Sequence, residues 1–245
     1  MKNLPASILI ATLLLPTTSF AQSINLDLGD GAGGTTARLM QLTALVTLLS
    51  LAPSLLVMVT GFTRIVVVLS LLRGAIGSQG TPPNSVLIGL ALFLTYFVMQ
   101  PVLDQAWQTG LLPLSEGRIP ELVGMRLAAE PFRKFMAANV QPDDLRLFTD
   151  LAHMPAPKTA AEAPWRTLIP SFMIGELRRA FEIGFLIYLP FLVIDTVVAS
   201  VLMSLGMMML PPSVVSLPFK LIFFVLVDGW RLVAGSLVQS FTGSG

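Results

Sequence analysis

The chain has 245 residues, 54% hydrophobic and only 12% charged, about half the charged fraction usual for a soluble domain. With a mean hydropathy of +0.78, it reads as an integral membrane protein or one buried in a large apolar assembly. A net charge of +1 leaves no nucleic-acid footprint, the absence of Cys removes disulfides, thiol catalysis and Cys-ligated metals, and the single histidine, His153, makes no metal site alone.

Residues 1–21 read as a secretory signal: Lys2, an apolar run from Ile8 to Leu15, Pro16, and a small-x-small site at Ser19-Phe20-Ala21. The alternative is an uncleaved first membrane helix, and either way residue 22 lands outside the cytoplasm. Residues 22–38 form a polar, Gly-rich lead without periodicity. Leu39 to Leu72 is one apolar stretch that as a single helix would be about 50 Å long, too long for a hydrocarbon core of about 30 Å. Pro53 is the expected kink.

Arg73–Ser85 reads as a turn-rich loop, and Val86–Leu103 as a second apolar helix ending near Gln100-Pro101 and Asp104. Residues 104–182 are mainly polar and carry most of the charge. Within them, amphipathic helices are expected over Glu121–Ala138 and Pro142–His153. In the second, Leu145, Phe148 and Leu151 or Ala152 share a face, and Asp143 and Asp144 sit at the favourable N-terminal end. A further helix should start near Pro170 and run toward Tyr188. Pro190–Leu205 is the third apolar helix, Gly206–Ser213 a Met-Pro tip and Val214–Leu237 the fourth apolar helix. The apolar runs are too long and lack the alternation of strands.

The expected fold is all-α, a multi-helix membrane-type protein of packed helical hairpins with a mainly helical polar insertion between the second and third apolar helices. The hairpins are residues 39–103 and 183–245, the second bearing the Met-rich loop 206–213. An outside N-terminus places 104–182 on the periplasmic side. The basic residues of that region argue for the cytoplasm, but the rule that says so is reliable only for loops up to about 60 residues.

Asp195 and Asp228 sit in apolar helices, where a carboxylate is expensive and normally has a partner. Arg64, Lys220 and Arg231 are available, and Asp195 with Arg64 is the expected pair. Such charges act as helix or subunit glue, as a proton or ion relay, or as an aspartyl protease pair. Thr196, Ser200 and Ser204 recur every four residues, so one helix face can admit another helix closely. Met207, Met208 and Met209 follow Gly206 and precede Pro211-Pro212. Unbranched, polarisable thioethers adapt to varied partners, so a ring of such tips would make a compliant apolar seal. Glu176, Arg178, Arg179 and Glu182 read as a solvated or inter-subunit helix face, and Phe132, Phe135 and Phe148 as packing residues. No phosphate-binding loop, dinucleotide fingerprint, zinc-protease or nucleophile-elbow motif occurs, so no enzyme, cofactor or metal is expected.

Several tracts carry a family likeness: Phe62-Thr63-Arg64-Ile65, Pro82-Pro83-Asn84, Gly89 to Met99, Pro170 to Phe185, Pro190 to Pro212, Leu217 to Leu221 and Val227 to Trp230. On these the chain resembles the FliP/SctR family of type III secretion export-gate proteins over nearly everything after Arg38. Gly175 departs, since that family more often has a small hydroxyl residue there.

The resemblance implies an all-helical subunit that assembles in about five copies with FliQ and FliR into a closed export channel. That channel stands largely above the plane of the inner membrane in the flagellar basal body, with FlhA and FlhB nearby. Unfolded flagellar proteins would be its substrates and Met207, Met208 and Met209 its pore gasket, energy coming from other components. Candidate subunit contacts are Phe135, Glu176, Thr196, Ser200 and Ser204. An injectisome homologue shares the fold and mechanism. A proton or small-solute channel using Asp195 and Arg64 is the reading from a different class.

Overall fold

The computed structural model describes residues 57–78, 80–207 and 209–242, together with 40, 42–43, 46–47, 50 and 54. The leader, the polar lead, the kink at Pro53 and Met208 lie outside the described residues. Residues 1–50 and 51–245 form separate compact units. Among the described residues the regular elements are all helices, with no strand.

Helix α1 spans Phe62–Ile76. Its buried residues Ile65, Val68, Leu69, Leu72, Ala75 and Ile76 fall at the three- and four-residue spacing of a helix stripe. Gly77 ends it at φ +79°, a left-handed conformation that glycine adopts without a Cβ clash. Helix α2 spans Asn84–Ala106 and passes through Pro101. It continues as a π-helical turn, Trp107–Leu111, into the short α3, Leu112–Ser115. The α-helical part therefore passes through Pro101 and ends three residues beyond the expected Leu103: a proline removes one backbone bond and bends a helix, and an apolar run on either side carries it through.

The π turn is pressed against α4, Glu121–Asn139. A Cβ at Gly110 would lie 2.4 Å from the backbone nitrogen of Ala128, so only glycine fits. Gly110→Ala is expected to push α4 off the turn at a cost of about 1–3 kcal/mol, read as an earlier thermal unfolding midpoint in detergent. An unchanged midpoint would show that the contact is slack.

Helix α5 spans Pro142–Leu151 and packs Leu145 and Thr149 inward, while Leu151 faces outward and Ala152 lies beyond the helix. Helix α6, Trp165–Ser204, is a single rod of 40 residues through both Pro170 and Pro190, where the sequence suggests one helix toward Tyr188 and another from Pro190. At 1.5 Å per residue it is about 60 Å long. Helices α4 and α5 pack on its N-terminal half around Met136, Leu145, Ala163, Leu168 and Phe172. A second core of Ile65, Val68, Leu69, Leu72, Ala180, Phe191 and Leu237 joins α1 and α2 to the middle of α6. Phe135 bridges the cores, edge-on to Phe172 at 5.9 Å and stacked on Phe241 at 6.1 Å.

Helices α7, Pro212–Leu226, and α8, Gly229–Thr242, replace the expected continuous fourth apolar helix. They meet at a bend of 63°. Asp228 takes φ +51° there, and a Cβ on Gly229 would fall 2.1 Å from the Phe224 ring. Among the described residues, the α2–α3 run and α6 are long and apolar enough to cross a membrane, with a third span if α7 and α8 count as one bent element. Large apolar side chains such as Phe93, Phe97, Phe185, Val193, Phe219 and Ile222 point outward. Faces of that extent mark contact with lipid or other protein.

Candidate functional site

The tip between α6 and α7 is built by a helix-ending turn. Gly206, at φ +73°, donates its N–H to the Met203 carbonyl, and the Met207 N–H reaches back to Leu202 at 3.0 Å. These are the paired bonds of a left-handed helix end, which glycine serves best. The Leu210 N–H closes onto the Met207 carbonyl at 3.3 Å, and Pro211 and Pro212 start α7. The turn throws its thioethers outward: Met207 is 44% exposed, Met203 58% and Met209 98%. Just behind it lies a groove of about 460 Å³ lined by Val193, Val197, Val201, Leu202, Val215 and Phe219.

Two polar nodes hold the helices behind the tip. In the first, Lys220 on α7 donates to Asp195 at 2.6 Å and to the Ala75 carbonyl at 3.0 Å, while the Ser216 hydroxyl donates to the other Asp195 oxygen at 2.6 Å. Lys220 thus ties α6 and α7 to the C-terminal end of α1, where a cation is favoured by the helix dipole. In the second, Arg64 and Glu176 are both completely buried and paired through two bonds, Nε to Oε2 at 2.9 Å and a shorter one to Oε1. The remaining Arg64 nitrogen donates to the Ser240 carbonyl and hydroxyl at 3.0 and 2.9 Å, and the guanidinium lies 3.7 Å from the centre of the Phe241 ring. Thr196, Ser200 and Ser204 turn their hydroxyls onto their own helix and stay exposed.

A sequence model described as the FliP family matches residues 45–237, most of the chain. The chain belongs to the FliP family. Over 233 residues it is 59% identical to the flagellar biosynthetic protein FliP of Caulobacter vibrioides, covering 95% of this chain and 87% of that one. It is 50% identical over 202 residues to that of Bacillus subtilis, with 82% and 91% covered, and 48% identical over 237 residues to that of Agrobacterium fabrum, with 95% and 97% covered.

In this FliP-family chain the expected pair of Asp195 with Arg64 does not form. Arg64 sits near the start of α1, whereas the Asp195 node meets α1 at Ala75, eleven residues or about 16 Å further along. Each acid has its own cation. Glu176 is not a solvated or inter-subunit residue, because it is sealed inside the chain against Arg64, and Phe135 is committed to packing between Phe172 and Phe241. Asp228 is no buried charge either: it lies exposed at the α7–α8 bend, 4.0 Å from Arg231. Asp195 and Asp228 therefore share no proton, and neither a protease pair nor a relay through Asp195 and Arg64 has its residues together. Met207 and Met209 stand at the tip. Ser216 and Ser240 were not foreseen; the only signal for Ser216 is its position one turn before Lys220, on the same face.

Proposed function

We propose that this chain is a pore-forming core subunit of the flagellar protein-export apparatus, passing unfolded flagellar proteins across the inner membrane. The name of its relatives, flagellar biosynthetic protein, supports the flagellar setting, and its apolar spans suit a membrane location. The observation that carries the pore reading is the Met tip: thioethers exposed on a fixed turn at the end of the longest helix. A pore for an unfolded chain must close on itself and on varied side chains without passing ions, and flexible apolar groups suit that task. The partners would be further copies of this chain, about five in a ring, with FliQ and FliR and with FlhA and FlhB nearby. The role is non-enzymatic.

In this reading residues 1–21 are the leader, 22–38 the lead, 39–103 and 183–245 the hairpins, and 104–182 the periplasmic part. The exposed Thr196, Ser200 and Ser204 stripe faces a neighbouring subunit. Phe135 and Glu176 support the fold that presents it.

Replacing Met207, Met208 and Met209 together by Ala is expected to leave the particle mass unchanged and to raise ion leak in cells or vesicles. A variant that assembles and stays ion-tight would remove the gasket role. The mass of the detergent-purified particle, with and without co-expressed partners, tests the ring. A monomer indifferent to them would sink the pore reading.

A further inference from the structure

Three positions of α6 face Asp144, the third residue of α5. The Ser171 hydroxyl donates to the Asp144 backbone carbonyl at 3.1 Å, and Arg178 donates to Asp144 Oδ1 at 2.6 Å. Gly175 lies between them, and spacings of four and three put all three on one helix face. A Cβ at Gly175 would stand 3.5 Å from Asp144 Oδ2, 3.8 Å from Gln141 Cγ and 3.9 Å from the Gln141 backbone nitrogen. These are ordinary contact distances, so the bare glycine leaves room for one methyl-sized group. The Asp144 side chain is only 3% exposed, and among the described residues nothing donates to its Oδ2. Nor does any acceptor among them take the Gln141 N–H.

A buried carboxylate oxygen without a donor is costly, and native proteins satisfy nearly all such atoms. The nearby cations are already engaged, Arg178 on Oδ1 and Arg179 on the Gln141 carboxamide oxygen at 3.0 and 3.3 Å. A divalent metal ion takes about six oxygen ligands, which one carboxylate does not supply. A single water molecule fits both the size and the chemistry, because buried waters sit where roughly two to four polar groups converge. We propose that the notch at Gly175 is an internal hydration site, its water donating to Asp144 Oδ2 beside the Gln141 N–H and joining α5 to α6. The site lies inside the chain, so it holds whether or not the chain lines a pore.

The test compares variants of the full-length chain in detergent by thermal unfolding midpoint. Helix propensity alone ranks residue 175 as Ala above Ser above Gly. With water in the notch, that order breaks. G175S puts a hydroxyl where the water was and should raise the midpoint by about 2–4 °C. G175A expels the water and supplies no donor, so it should melt below G175S by about the same margin or more. In a D144A background, which lacks the acceptor, the order should revert to Ala above Ser. G175A at or above G175S in the parent background overturns the site, and so does a Ser advantage that survives D144A. Should D144A fail to accumulate, a map of the assembled particle fine enough to show ordered water decides. A peak within hydrogen-bond reach of Asp144 Oδ2 supports the site, and a notch without one removes it.

Discussion

Glu176→Ala is expected to leave little folded protein. Arg64 would remain wholly buried with its charge uncompensated, since Ser240 supplies only neutral acceptors and the Phe241 face only a weak attraction. Breaking one side of such a pair costs about 3–5 kcal/mol, a large share of the about 5–15 kcal/mol that holds a typical fold. Accumulation of full-length chain and the unfolding midpoint in detergent are the readouts. The double variant R64M/E176L, which removes both charges and keeps apolar bulk, should recover most of the loss, because replacing a buried pair by packed apolar groups is often neutral. A single variant as stable as the parent would show that water reaches the site. Because Glu176 lies inside the chain's own core, its loss should act on the folding of the single chain.

Lys220→Met should act at the other node and loosen the hairpin behind the tip. The apolar stem of the side chain is retained, but the Ala75 carbonyl and one Asp195 oxygen lose their donor. Removing a buried partner of a charged group costs about 2–3 kcal/mol. Asp195, with about a third of its side chain exposed, can recover part of that from water. The expected result is faster protease nicking in the Leu205–Ser213 turn together with a lower unfolding midpoint. Adding D195N should relieve part of the effect, since the carboxylate then needs no cation. Unchanged nicking would mean that α7 is held by its apolar contacts alone.

The helical character of the chain was legible because long apolar runs leave few alternatives, and the amphipathic α4 and α5 lie close to where their first-turn acids and apolar faces put them. The prolines misled. Pro101, Pro170 and Pro190 read as helix ends, yet each removes only one bond from a helix held by packing on both sides. The opposite error fell at Val227-Asp228-Gly229-Trp230, where an Asp-Gly turn signal was overridden by the surrounding apolar run. Glu176 was readable in principle. It sits on the four-residue stripe Leu168, Phe172, Ala180, Gly184 that forms the buried face of α6, and a charge on such a stripe is buried by its neighbours. Which cation it meets was not readable, because pairing depends on how far α1 slides along α6. Nor could the sequence show that the Ala75 carbonyl needs a donor, since the end of α1 is set by Gly77.

Helix α6 carries α4 and α5 against one end and the Met turn at the other, with no loop between. A body of that kind acts as a lever. A tilt of about 5° around its midpoint moves each end by about 3 Å, close to the radius of a side chain. Pro170 and Pro190 each leave a carbonyl of the preceding turn without its helical partner, so the arm can bow most easily near those two points. A push on the polar end is then felt at the turn as a displacement of Met207 and Met209.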